Sequence, residues 1–134
     1  MTTPTLSMIL FSGTDDKLTS AGILASGAAA MDRPVNIFLQ YGALDVFRAD
    51  RITKDHGFSA DTDHDVIMGA KKHPGMHWSE TLRLAKEIGE VHIDACSHSM
   101  EMLDLVPEDL DPIVDDVTGI ASFVSKANDQ LIFI

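Results

Sequence analysis

The amino-acid sequence predicts an α/β domain in which a mostly parallel sheet is covered by helices on both faces. Short apolar runs such as "LSMILFS" and "VNIFLQY" carry no sustained polar alternation, the pattern of strands buried on both sides. Segments of helical period separate them, and strands that alternate with helices along a chain form parallel crossover units. With 134 residues, 45% of them hydrophobic, the chain can build one domain with a real core, residues 1–134, and is too short for two.

Leu6 to Ser12 reads as the first strand, closed by the Ser12-Gly13 turn. Thr14, Asp15 and Asp16 then offer capping oxygens and negative charge for a helix start. "KLTSAGILASGAAAM" continues that helix with a face of Gly and Ala, which can lie very close to a sheet. Arg33-Pro34 punctuates, and Val35 to Tyr41 is the second strand. After Gly42, "ALDVFRADRI" is weakly helical. From Thr53 to Gly75 the periodicity dissolves into an excursion dense in Asp, His, Gly and Lys, of the kind that is functional or mobile. Order returns in "HWSETLRLAKEIGE", where Ser79 is placed to cap a helix and Trp78, Leu82, Ala85 and Ile88 recur at helical spacing before Gly89. "VHIDA" is the third strand, with Cys96 at its carboxyl end, and "SMEMLDL" a short helix stopped before Pro107. Two prolines break "VPEDLDPIVDD"; "GIASFVSKAN" is then a helix and "QLIFI" the last strand.

A net charge of −11, from 21 acidic against 10 basic side chains, argues against nucleic acid, whose phosphates this surface repels. A protein partner with a basic face fits better, and the charge also serves solubility. No apolar run is long enough to span a bilayer, and "MTTPTLS" lacks the basic start and apolar stretch of a signal peptide, so the expected location is cytoplasmic, with no membrane partner. The single cysteine forms no internal disulfide, in keeping with a reducing compartment.

Cys96 stands where chemistry collects in open α/β sheets, beyond a strand's carboxyl end. A following helix start and a neighbouring imidazolium, for which His98 is the candidate, favour the thiolate there; Asp94 and Glu101 oppose it if they face the sulfur. The bland alternative is a small buried hydrophobe. Other constellations are weaker. His56, His64, His73 and His77, with Asp61, Asp63 and Asp65, could assemble a zinc-like site in the excursion, although Pro74 and Gly75 spoil a helical HxxxH. "FSGTDDKLTSAG" follows a strand as a phosphate loop would, but has neither GK[ST] nor GxGxxG. Met100 and Met102 suit the core better than a metal. No cofactor and no resident metal are assigned from these patterns.

Taken together, "FSG" after the first strand, "ASGAAAM", "VNIFLQYGAL", "KKHPG", "ACSHSMEML", "GIASFVSKA" and the terminal "LIFI" resemble the DsrE-like sulfur-carrier family, most closely its single-domain branch labelled peroxiredoxin-like. The A-C-x-x-S-M arrangement is matched by Ala95, Cys96, Ser99 and Met100. The resemblance implies a three-layer α/β/α, flavodoxin-like or DsrEF-like fold, self-association, and a cysteine that carries sulfane sulfur between proteins. Some relatives hold a second cysteine nearby; positions 97 to 104 here hold none, so an intramolecular disulfide is excluded. What the resemblance leaves is a one-cysteine relay, in which Cys96 takes sulfur from a donor protein as a persulfide or S-thiosulfonate and yields it to an acceptor such as a TusA-like carrier. His98 is the catalytic companion, and His92, Lys71, Lys72 and Ser99 are candidates for stabilising the anionic adduct. Two other readings stay open: a metal-binding or sensing module on the histidine-rich excursion, and a non-catalytic assembly subunit. A homo-oligomer is expected, with Tyr41, Leu44, Val46 and Phe47 in need of cover. The excursion, Thr53 to His77, is expected to close over or beside Cys96 as a mobile segment.

Overall fold

Leu6–Leu10 (β1) and Val35–Leu39 (β2) are almost wholly buried strands, and they pair in parallel with Met8 opposite Ile37. They belong to a five-stranded sheet, completed by Val91–Cys96 (β3), Asp116–Thr118 (β4) and Gln130–Phe133 (β5) in the order β4-β3-β2-β1-β5. Each of the four pairings is parallel. This is a computed structural model, and it describes residues 3–134. Asp15–Ala30 (α1), Tyr41–Val46 (α2), His64–Lys72 (α3), Trp78–Ile88 (α4), Ser97–Met102 (α5), a 3-10 turn at Pro107–Asp109 and Ile120–Lys126 (α6) complete the chain.

The layers are unequal. Alternate side chains of the strands, Met8, Leu10, Ile37, Leu39, Ile93 and Ala95, join Leu18, Ala21 and Ala25 of α1 and Trp78, Leu82 and Ala85 of α4 in the main core. The Gly/Ala face of α1 meets α4 as well as the sheet. Gly22 faces Thr81, and a Cβ on Gly89 would come within 2.8 Å of the Ala29 Cβ. On the other face Ile9, Phe38 and Cys96 pack against Phe123, the one buried residue of α6. Handedness explains the split. The steps β1 to β2 to β3 to β4 all move one way across the sheet, whereas the last connection runs back from one edge to the other; crossovers of one hand then place α6 opposite α1 and α4. A flavodoxin-like sheet reverses after its first strand; this one reverses at its last connection.

Several local expectations are corrected. The first two strands end at Leu10 and Leu39, and Tyr41 opens α2 instead of closing a strand. Leu44, Val46 and Phe47 enter the domain's own core, so they are not free for an interface; only Tyr41 of that group is exposed. The helix from Trp78 is capped by the His77 ring, whose Nδ1 accepts the Ser79 N–H at 3.2 Å. Ser79 is itself inside the helix. The proline-broken stretch leads straight into β4, and the excursion contains α3, none of whose residues is buried.

The excursion is fastened to the start of α1. The Asp15 N–H donates to the Gly57 carbonyl at 2.8 Å, and the Asp15 carboxylate accepts from the His56 N–H at 2.8 Å and the Trp78 indole at 3.0 Å. The Asp16 carboxylate accepts from the Ser59 N–H at 3.1 Å and the Thr62 hydroxyl at 2.7 Å. The two acids read as cap residues for α1 therefore grip a distant loop. Partial burial works against the Asp16 charge, but the hydrogen bonds from Thr14, Thr62 and Ser59 win and hold this carboxyl down at about 2.

The turns after β1 and β2 abut closely: a Cβ on Gly13 would lie 2.4 Å from the Gly42 carbonyl oxygen. Backbone cannot give way there as a side chain could, so Gly13→Ala should destabilise the domain by about 1–3 kcal/mol, or roughly 5–10 °C in a thermal melt. An unchanged melting temperature would mean that the two turns do not pack so closely. A second expectation concerns acid. Because the folded Asp16 value lies below the ordinary 3.8, its stabilisation is complete above about pH 4 and is lost as the pH falls toward 2. After allowance for solvent screening it amounts to about 1–2 kcal/mol. Hydrogen exchange of residues 56–62 should rise over that window before exchange in the sheet does, and Asp16→Asn should flatten the dependence.

Candidate functional site

In open α/β sheets the crevice for ligands opens beyond the strand carboxyl ends, between two neighbouring strands whose exits turn to opposite faces. Here those strands are β3 and β4. The exit from β3 turns into α5 on the side of the main core, and the exit from β4 turns into α6 on the other. Cys96 is the last residue of β3, and Gly119 leaves β4 with Ser97 Oγ 3.9 Å from where its Cβ would stand. The two exits thus face each other across the cysteine.

The Cys96 sulfur is held from one side and roofed from the other. Sγ accepts the Ser99 N–H at 3.4 Å, so the cysteine caps α5 with its own side chain. Ser99 is fully buried, and its hydroxyl in turn accepts the Tyr41 N–H at 3.1 Å. That bond clamps a strained residue. Tyr41 has φ +46°, a left-handed conformation that costs a bulky side chain on the order of 1–3 kcal/mol. The strain turns its ring outward, 4.9 Å from Phe11 and 6.5 Å from His98 between centroids, and Phe11 stands 5.8 Å from Phe133. An exposed aromatic rim therefore runs along the strand ends beside the crevice. Phe123 of α6 covers the sulfur from above, stacked 4.9 Å from Phe38 of the neighbouring strand, and Cys96 is left only 4% exposed.

The sequence candidates divide. Ser99 touches the sulfur, through its backbone. His98 is exposed at the rim, beside Tyr41. His92 shares a strand face with Cys96 but lies four residues back, about 13 Å at strand rise, beyond contact with an adduct on the sulfur. Lys71 and Lys72 end the exposed helix α3, and the hydrogen bonds that anchor the excursion run to Thr14, Asp15 and Asp16 rather than to Cys96. Glu101 is exposed on α5.

A second cluster was not foreseen. His92 Nε2 lies 2.8 Å from Asp94 Oδ1 and 3.2 Å from Asp116 Oδ2. Burial pushes the Asp94 carboxyl above its ordinary value; the attraction of His92 opposes this, the charge of Asp116 reinforces it, and Lys126 opposes it. Among the described residues this is the one set of three His, Cys, Asp or Glu side chains whose donor atoms all lie within 4.8 Å of one another. The histidines of the excursion are not gathered: His56 Nε2 bonds the Arg51 carbonyl at 2.8 Å, and His77 Nδ1 the Ser79 hydroxyl at 2.8 Å.

Residues 2–80 match the DsrE/DsrF/DrsH-like family, more than half of the chain. The chain belongs to this family. Membership points to a role related to sulfur relay, although the matched region ends before β3 and so carries the first two strands and not the cysteine. The DsrE-like chain is also 28% identical to the uncharacterized protein YrkE of Bacillus subtilis (strain 168), over 91% of this chain and 90% of that one. Its fold is similar to that of MTH1491 from Methanobacterium thermoautotrophicum, a protein of unknown function, with a TM-score of 0.59 and 12% identity over 98% of this chain and 99% of the other. At that identity the likeness speaks for the fold alone.

Tyr41, Phe123 and Asp116 are the site residues that sequence reasoning missed. A Tyr-Gly pair directly after a strand was the available signal for the first; the other two depend on where the last crossover passes. Since Phe123 is the one buried residue of α6, Phe123→Ala should loosen the helix over the sulfur. A fall of about 1.4 kcal/mol in the opening free energy corresponds to about tenfold. Alkylation of Cys96 by iodoacetamide in the folded protein should accelerate by at least that factor, and an unchanged rate would show that α6 is not the barrier.

Proposed function

We propose that this DsrE-like chain is a cytoplasmic sulfur carrier that holds sulfane sulfur on Cys96 and passes it to a partner thiol. The observation that carries the reading is the place of Cys96: it ends β3 at the point where the exits of β3 and β4 part, with Sγ on the Ser99 N–H at 3.4 Å. An N–H aimed at sulfur is a stronger partner for an anion than for a neutral thiol. It therefore serves both the attacking thiolate and the thiolate released at the end of a turnover.

Loading is a displacement at sulfur. The Cys96 thiolate attacks the outer sulfur of a donor persulfide, the donor S–S bond breaks, and the donor leaves as its own thiolate; Cys96 then carries the persulfide. The same displacement on a donor cysteine bearing a thiosulfonate moves that group instead. Delivery repeats the exchange, with an acceptor thiolate attacking the outer sulfur and Cys96 leaving as thiolate. Neither step needs an external oxidant or reductant. With one cysteine in the chain, delivery has to end on another molecule.

The covered sulfur sets the order of events: the α6 roof opens before a donor reaches Cys96, and closing it keeps the loaded sulfur from small thiols. The exposed aromatic rim of Phe133, Phe11, Tyr41 and His98 offers a partner its first contact, and the net charge of −11 favours a partner with a basic face, such as a TusA-like carrier. A homo-oligomer belongs to the same reading. Among the described residues no helix is long and apolar enough to cross a membrane.

The test is intact-mass analysis of the reduced protein after polysulfide, thiosulfate or tetrathionate. One sulfur atom, or one thiosulfonate, should add per chain and leave with reductant. Cys96→Ser should abolish the adduct without unfolding, and His98→Ala should slow loading while leaving its extent unchanged. If neither the wild type nor Phe123→Ala acquires mass from any donor, Cys96 is a core-filling thiol.

A further inference from the structure

Two residues before Cys96, on the same strand face, Asp94 stands opposite Asp116 of β4 in register, and His92 stands two residues before that. The Asp94 side chain is only 10% exposed, and its Oδ1 is fully buried with no hydrogen-bond donor. His92 Nε2 comes within 2.8 Å of that oxygen but off the direction a hydrogen bond requires, and it lies 3.2 Å from Asp116 Oδ2 as well. One ring N–H shared between two carboxylates gives each at best a weak, bent bond. A buried polar atom left without a partner costs on the order of 1–3 kcal/mol, and more when charged. The unpartnered oxygen lies together with the other two donor atoms, all three within 4.8 Å of one another.

We propose that His92, Asp94 and Asp116 form a site for a divalent transition-metal ion of the Zn2+ class. One imidazole nitrogen with two carboxylate oxygens suits zinc, manganese, iron or cobalt, whereas calcium and magnesium take oxygen alone. A cation held by all three gives Asp94 Oδ1 its missing partner and relieves the repulsion between Asp94 and Asp116. A ligating imidazole is commonly oriented by a carboxylate at its other nitrogen; the nearest one here, Asp115 Oδ2, stands 3.6 Å from His92 Nδ1, just beyond hydrogen-bond distance. Asp115 is itself fixed by the Ile93 N–H at 2.8 Å and Lys86 Nζ at 2.6 Å. The His92 and Asp116 side chains are 47% and 67% exposed, so an ion reaches the buried Asp94 from solvent. Lys126, the cation on α6 that acts on Asp94, is exposed.

Cys96 is not among the ligands, so metal uptake can be read independently of the thiol. The experiment is titration of the metal-free full chain with Zn2+ against a chromophoric chelator and with Co2+ by absorption, on wild type and Cys96→Ser. Both should take up one equivalent saturably, and the cobalt spectrum should lack thiolate charge transfer. Asp116→Asn, at an exposed position that does not endanger the fold, and His92→Ala should each weaken binding by at least about tenfold. An excess of Mg2+ or Ca2+ should displace nothing. The proposal fails if wild type shows no saturable binding, if Cys96→Ser loses it, if either ligand variant binds as wild type does, or if Mg2+ or Ca2+ competes.

Discussion

All five strands point the same way, so every passage from the end of one strand to the start of the next must cross a face of the sheet. Crossings share one hand. The three steps that build β1 to β4 outward therefore stack their helices on one face, and the single return from β4 to β5 must take the other. The first face receives the short helices α2 and α5 and two long ones, α1 and α4, which small residues let pack tightly side by side. The second receives the 7 residues of α6, secured by one phenylalanine. The same reversal parts the exits of β3 and β4. A crevice, a thin roof and a cysteine beneath it are thus consequences of one topological constraint.

The thinly covered face is where the polar residues lie. Ser7, Asn36, His92 and Asp94 all point to it, while the opposite side chains of the same strands are Met, Leu, Ile, Val and Ala. Under two well-packed helices such a row would lose its hydration with little in return. The row is covered unevenly: Ser7 and Asp94 are buried, whereas His92 keeps its contact with water. Strain is concentrated at the carboxyl ends of the strands. Tyr41 is held in a left-handed conformation by the buried Ser99 hydroxyl, and the N–H of that same serine holds the Cys96 sulfur. One residue couples the position of the rim to the position of the thiol.

What could be read from the residues was what depends on burial and periodicity. The apolar runs of β1, β2, β3 and β5 and the spacing of Trp78, Leu82 and Ala85 are properties of a segment by itself, and they carried the α/β class and the place of Cys96 at a strand end. Features that depend on a distant partner were out of reach. The strand Asp116–Thr118 has 3 residues and an acidic start, and it exists because β3 offers it an edge. Without that pairing Asp116 has no visible relation to Asp94, and so the cluster with His92 could not be seen. Asp15 and Asp16 look like ordinary helix-start acids until the excursion is laid against them. His98, near Cys96 in sequence, is turned to the rim, because α5 carries its ring toward Tyr41 while Ser99 faces inward. The family match stops at residue 80, so the comparison that settles the family is silent on the cysteine. At 12% identity a shared fold leaves function to be argued from the site.

Asp94 joins the two halves of that site. It stands about 7 Å along the strand from Cys96 on the same face, close enough for an uncompensated buried carboxylate to repel an anionic persulfide under the same low-dielectric roof. That charge is answered from three sides: burial favours the neutral acid, and His92 and Lys126 bring positive charge against the ionised one. Each answer reduces the negative potential felt at the sulfur. If Cys96 carries sulfur as proposed, a carboxylate in this position has to be part of a neutralised cluster, and His92, too far along the strand to touch an adduct, can act there only by quenching a charge.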